Sequence, residues 1–197
     1  MPTTDSEIGD EDWYGRTLSG ETYSGVAFVD VDLTEVVDES CVFDGCVFRG
    51  VRLNASTHTD AAFLSCTFRA CTFFDTSFVR CKLVGSTFDR CTFTSLEVTG
   101  GDWSFVGLAG ADLRHVRFDG TRMREADLTD VRGVGMRLHD VDLTGAWLHG
   151  ADLSRADLRG ADLSTVDPLT MTLTGAVIGV PQAVALAGAL GLDVRAE

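Results

Sequence analysis

The sequence predicts an all-β solenoid, a chain wound into stacked coils, closed at its C-terminal end by a short α-helix. Three observations predict it. Stepping by five residues from Leu18 to Ile178 gives 33 positions, and 29 of them are Leu, Phe, Tyr, Val, Trp, Met or Ile. Two residues before these runs a second register, Val26 to Ala176, in which 28 of 31 positions are Ala, Cys, Ser, Thr, Val or Gly. After residue 178 both registers stop, and "VPQAVALAGALGLDV" follows.

A period of five excludes the two common elements. On an α-helix, five residues advance about 500°, which would spread the large residues around the whole circumference. On a flat strand, an odd step would turn every second large residue into water. A chain that turns a corner every five residues keeps the large residue, and the small one two before it, facing a single interior. One such coil cannot bury its own apolar face, so coils must stack.

The elements follow in chain order. Residues 1–15, "MPTTDSEIGDEDWYG", hold five acids and no base, the reverse of a secretory leader, and are read as a mobile acidic tail. Residues 16–178 form the solenoid, and the constant phase leaves no room for an inserted loop. The exceptions in the large register are Asp38, His58, Gly133 and Pro168; those in the small one are Leu96, Met136 and Met171. Residues 179–197 make a capping helix, with Pro181 suited to its first turn and Gly191 to its stop. Val184, Leu186, Ala187 and Leu190 leave that helix little polar face, so part of it is expected to close the open coil and part to meet a second copy of the chain.

The repeats "ADLRH", "ADLTD", "ADLSR", "ADLRG" and "ADLST", with "CVFRG", "CTFRA" and "CTFTS" nearer the N-terminus, resemble the signature of pentapeptide-repeat proteins. The resemblance covers about residues 16–178. It implies a right-handed quadrilateral β-helix with four pentapeptides per coil, so that residues twenty apart stack at the ordinary strand spacing of about 4.8 Å and eight coils make a rod about 38 Å long.

The six cysteines, Cys41, Cys46, Cys66, Cys71, Cys81 and Cys91, all occupy the small inward register and form no CxxC pair, so they read as reduced packing residues. The four histidines lack ligand spacing, and His58 in a central slot reads as a buried, hydrogen-bonded imidazole. No nucleophile elbow or P-loop appears, and "GVGMRL" lacks the third glycine of a dinucleotide fingerprint. No enzyme activity, cofactor or metal is expected.

Sixteen basic residues face thirty acidic ones, a net charge of −14, which argues against nucleic acid or an anionic membrane as direct partners and for a soluble cytoplasmic protein. Twenty-residue columns such as Asp102–Arg122–Asp142–Asp162 and Glu97–Arg117–Arg137–Asp157 place arginine between acids, an inter-coil ladder of exposed ion pairs. The ends differ: residues 1–47 hold twelve acids against one base, and residues 138–197 carry a net −5.

His58 before "AAFLSCTF", the "ADLSTVDP" ending and the "QAVALAGALGL" tail resemble the mycobacterial fluoroquinolone-resistance branch of the family. That resemblance implies a homodimer, joined through the C-terminal helix, that imitates B-form DNA and occupies the DNA-binding saddle of DNA gyrase, with topoisomerase IV as an alternative target. It implies inhibition or modulation of gyrase and resistance to fluoroquinolones or to a natural gyrase poison. On this reading Asp142, Asp152, Asp157, Asp162 and Asp167 stand in for phosphates, Asp102, Asp112 and Asp127 extend the track, and Val184, Leu186, Ala187 and Leu190 hold the dimer. The alternative is a non-catalytic scaffold whose acidity serves solubility and whose partner is not a topoisomerase.

Overall fold

The computed structural model describes residue 4 and residues 6–195 of the 197. Strands three or four residues long pair in parallel with strands twenty residues away, from Ser6↔Val26 to single bridges such as Asp157↔Val177. The pairs fall into four sheets, giving the coil four faces. The first starts with Ser6–Gly9 and Val26–Val29 and ends in the bridges Gly107↔Asp127 and Asp127↔Trp147. The second carries Thr72–Phe74 and Thr92–Thr94, then Asp112, Arg132 and Asp152. The third has seven strands, from Thr17–Ser19 to Arg137–His139. The fourth runs from Thr22–Ser24 to Asp102, Arg122, Asp142 and Asp162.

The corner falls on a fixed position of each repeat. Asp30, Glu35, Ser40 and Gly45 turn one coil, all with φ between 54° and 61°. Left-handed backbone costs a residue with a Cβ roughly 1–2 kcal/mol, so the corners are held open by the packing between them.

That packing is a set of stacked rings. Phe28, Phe48, Phe68 and Phe88 form one column with centroids 4.6–4.9 Å apart and planes within 9° of parallel, and Tyr23, Phe43 and Phe63 form another. Rings of neighbouring columns meet edge to face, as Phe43 and Phe48 do at 5.6 Å, the two geometries an aromatic quadrupole favours. The small register completes the interior by hydrogen bonding. Thr76 Oγ1 donates to Leu53 O at 2.7 Å, Ser86 Oγ to Phe63 O at 2.8 Å and the Cys66 thiol to Phe43 O at 3.3 Å. The cysteines are free, as their register implies, and five of the six are buried.

The chain enters the coil earlier than residue 16. Ser6–Gly9 pairs with Val26–Val29, Asp12 bridges Asp32, and Trp13 is buried against Tyr23 and Phe28. Residues 6–15 are therefore part of the first coil and not a tail. The reason is the register itself: five-residue steps back from Leu18 reach Trp13 and Ile8, and the surrounding acids face outward.

Two pairs of register exceptions compensate each other. Met136, oversized for its slot, places its sulfur where a Cβ on Gly133 would lie, and Leu153 Cδ2 would sit 2.8 Å from that Cβ. Asp38 and His58 stack in one column of the third face and bond to each other. Pro168 leaves the register, opening a 3₁₀ turn, Pro168–Thr170, with Asp167 as its N-cap. The coil resumes in phase beyond it, at Thr172 and Val177.

Leucine takes over from phenylalanine around Trp103, which is buried among Phe78, Phe88 and Phe118. At this changeover the second face is open: Thr72 pairs with Thr92 and Asp112 with Arg132, but no pairing joins Thr92 to Asp112 among the described residues. Helix α1, Val180–Ala189, closes the far end, with Pro181 in its first turn and Gly191 at φ +80° after its last.

Candidate protein-binding surface

The eight predicted aspartates lie on all four faces. Asp102, Asp142 and Asp162 stand on the fourth, Asp112 and Asp152 on the second, Asp127 on the first and Asp157 on the third. Each sits just before a large inward residue or, for Asp167, before Pro168, and this placement explains a shared local bond. Most of the carboxylates accept the backbone N–H two residues on, as in Asp152 with Ser154 at 3.0 Å and Asp162 with Ser164 at 2.9 Å. Such Asx turns fix the carboxylate against its own coil.

Four of the eight are neutralised. Arg122 lies 2.9 Å from Asp102, Arg114 lies 2.7 Å from Asp112, Arg124 lies 2.6 Å from Asp142, and Arg159 lies 2.7 Å from Asp157. The predicted inter-coil ladder is thus partly replaced by bonds within a coil. Arg114 and Arg159 fork onto the acid two residues before them, and Arg132 reaches Asp112 only at 3.7 Å. The Arg159 hydrogen bond brings Asp157 down to about 2.

Asp127, Asp152, Asp162 and Asp167 make no ion pair with an arginine among the described residues. The hydroxyl and N–H of Ser154 hold Asp152 below the ordinary carboxylate range, and Ser164 does the same for Asp162 against repulsion from Asp142. Between Asp127 and the end of the first face stands Trp147, two-thirds exposed. Its signal was legible, since it precedes the inward residue Leu148 and its slot points outward.

The cap is anchored by a polar residue that sequence reasoning passed over. Gln182 is the one buried side chain of α1. Its Oε1 accepts from Gly179 N–H at 2.6 Å, and its Nε2 donates to the carbonyls of Leu158 and, at 2.8 Å, Ala161. It therefore ties the helix to the last coils. The apolar residues are left outside: Val180, Val184, Leu190 and Leu192 are exposed, while Leu186 and Ala187 are half-buried. Leu169 and Val177 are exposed as well.

His58 is buried as expected, and its surroundings form an Asp–His–Ser chain: Asp38 Oδ2 at 2.9 Å from Nδ1 and Ser56 Oγ at 3.0 Å from Nε2. Its geometry is that of a hydrolytic triad, but all three side chains are sealed from substrate, so the chain is structural. A second cluster, Asp119, His139 and Asp140, brings three ligand-type atoms within 4.8 Å of one another on the surface. His139 Nδ1 lies 3.2 Å from Asp140 and 3.8 Å from Asp119, so these surface side chains already partner one another. No described helix is long and apolar enough to cross a membrane.

A family model of the pentapeptide repeat region matches residues 71–148, and a model of eight pentapeptide repeats matches residues 137–167. A model of the SV2A/B/C luminal domain matches residues 17–93, which lie wholly within the coil. No curated protein sequence matches the chain. Among solved structures it is similar to two trypsin-treated variants of QnrB1, described as a plasmid-mediated fluoroquinolone resistance protein. The first is 20% identical with a TM-score of 0.78, covering 96% of this chain and 97% of that one. The second is 19% identical with a TM-score of 0.77, covering 98% and 96%. Full-length QnrB1 aligns with a TM-score of 0.58 at 18% identity, over 94% of this chain and 100% of that one.

Proposed function

This chain belongs to the pentapeptide-repeat family, and on that premise we propose that it acts, without catalysis, as an acidic rod that competes with DNA for the DNA-binding saddle of a type II topoisomerase, DNA gyrase first. The observation that carries the proposal is the set of carboxylates in the C-terminal half of the coil, Asp127, Asp152, Asp162 and Asp167, each fixed by an Asx turn and without an arginine ion pair among the described residues. Turn-fixed carboxylates resemble phosphates in being pre-positioned acceptors, and a basic DNA groove attracts both. Asp102, Asp112, Asp142 and Asp157 drop out of the track, because their charge is already answered.

The exposed apolar side of α1 supports the second part of the proposal, a homodimer. Val184 and Leu190, with the half-buried Leu186 and Ala187, would meet the same residues of a second copy across a two-fold axis. Two rods joined there would extend for roughly 75 Å, about two turns of duplex. The fold shared with QnrB1 is compatible with a role in fluoroquinolone resistance, which is that protein's description.

The test is gyrase supercoiling with added protein at low and high salt. Salt-sensitive inhibition that disappears when the four free aspartates are replaced by asparagine, while replacing the four paired ones has little effect, supports the reading. Unchanged potency in the first variant overturns the assignment. A second reading, a scaffold with a different partner, draws on the four neutralised carboxylates and the spread of acids over all faces. Absence of any effect on gyrase at micromolar protein would favour it.

A further inference from the structure

On the third face the expected ladder leaves one arginine, Arg137, without an ion-pair partner among the described residues. Arg117 and Arg137 are direct partners in the third sheet, stacked at about the strand spacing of 4.8 Å. Like charges directly opposite each other destabilise a sheet. The acids above and below do not relieve the pair fully: Glu97 bonds Arg117 at 2.9 Å, but Asp157 turns its carboxylate to Arg159. Arg137 thus makes no ion pair among the described residues, and neither does Arg155 at the adjoining corner.

These guanidinium groups line a depression of about 510 Å³, within the usual range for small-molecule sites. Gly135 forms part of its floor, where a Cβ would meet nothing within 4 Å. Arg114, Arg117, Arg137 and Arg155 face Asp75, Glu97 and Asp157 across it, one more guanidinium than carboxylate on a chain of net charge −14. A second depression, about 360 Å³, adjoins it at Arg114 and His115 and opens onto the gap between Thr92 and Asp112.

We propose that this groove is a binding site for a small diphosphate-bearing ligand, held by Arg117 and Arg137, neighbours in the third sheet, and by Arg155 at the adjoining corner. Planar guanidinium forks match phosphate oxygens two at a time. Glu97 engages only one N–H of Arg117, so a further carboxylate could occupy one fork, whereas two linked phosphates can reach the remaining donors of Arg117 and the fork of Arg137 together and offset the like-charge repulsion. The site does not depend on the topoisomerase reading, since none of the free aspartates lines it.

The test is thermal unfolding of the full chain at fixed ionic strength, titrated with inorganic pyrophosphate, ADP, sulfate and succinate. The expected result is a saturable rise in Tm with pyrophosphate, at a half-saturating concentration at least tenfold below that of sulfate or succinate. ADP at least tenfold tighter than pyrophosphate identifies a nucleotide as the source; equal affinities identify the free diphosphate. The double variant Arg137→Gln/Arg155→Gln is expected to lose at least tenfold in affinity. Should it fold poorly, Arg155→Gln alone carries the test, since Arg155 stands at a corner outside the sheet column. A rise in Tm that follows ionic strength alone, or is unchanged by these substitutions, overturns the proposal.

Discussion

Asp38 Oδ2 lies 2.9 Å from Nδ1 of His58, one coil above it, and neither side chain reaches solvent. The arrangement uses both ring nitrogens. Ser56 Oγ donates to Leu53 O at 2.7 Å and lies 3.0 Å from Nε2, while Asp38 engages Nδ1. The carboxylate also accepts from Cys41 N–H at 3.2 Å. A buried pair so fully bonded is costly to break from one side. Asp38→Ala or His58→Ala is expected to lose about 3–5 kcal/mol in urea unfolding. Asp38→Leu with His58→Phe, which restores the apolar column between Leu18 and Phe78, is expected to be neutral or more stable by about 1–4 kcal/mol.

Gly133 and Met136 test the same logic with volume in place of charge. Gly133→Ala places a Cβ against the Met136 sulfur and Leu153, both at the ends of flexible side chains, so the cost should fall at the low end of overpacking, about 1 kcal/mol. Gly133→Leu alone should cost more. Gly133→Leu with Met136→Ala returns both positions to their ordinary registers and should stay within about 1.5 kcal/mol of the parent. Denaturant midpoints at constant m-value read the series.

The thiols should divide five to one. Burial pushes Cys41 and Cys81 up to about 12, and a thiol that stays protonated is neither nucleophile nor ligand; the hydrogen bond with Cys66 draws Cys46 down to about 7, but its side chain is sealed from solvent. Cys91 is only partly buried, and the hydrogen bond it shares with Cys71 holds it below the usual thiol value. A chromogenic disulfide reagent should therefore modify Cys91 first in the native protein and all six after unfolding. Rapid modification of several cysteines before unfolding would contradict the packing described.

Acid should weaken the coil in a defined window. The Arg52 hydrogen bond brings Asp32 down to about 2, and Arg159 brings Asp157 to the same level. A carboxylate depressed in the folded state stabilises it above its unfolded value of about 3.8 and loses that contribution as pH falls toward 2. Tm should be flat down to about pH 4 and drop below it. Arg52→Gln should shrink that drop by no more than about 1 kcal/mol, because the arginine is half-exposed.

Gln182 governs the cap. Gln182→Leu leaves the carbonyls of Leu158 and Ala161 without their shared donor, a loss of about 1–3 kcal/mol. Local hydrogen exchange in α1 should accelerate while the central coils keep their protection.

The coil was legible because a five-residue step survives every change of residue within it, from the phenylalanines of Phe28 to Phe88 to the leucines of Leu143 to Leu163. The start was obscured where Ile8 and Trp13 sit among outward acids. Partner choice was not legible. Asp112 has Arg114 two residues on and Arg132 twenty residues on, and the register places both within reach; the shorter span wins because the fork of Arg114 closes onto the same Asx turn. For the same reason the sequence could list eight acids for the surface but could not tell which four an arginine would answer, nor that Arg137 would be left without its acid beside Gly135. Gln182 was hidden for a different reason: a lone glutamine in an apolar helix carries no periodic signal.

Pairing at an offset of twenty residues, which recurs from Ser6 to Val177 with a gap between Thr92 and Asp112, makes the rod a molecular ruler. Excising or duplicating one complete circuit of twenty residues leaves every surviving ring on a neighbour of the same kind, so the cross-section is conserved and only the length moves, by about 4.8 Å per circuit. Reach along a partner can therefore change in whole increments while the two ends keep their own chemistry.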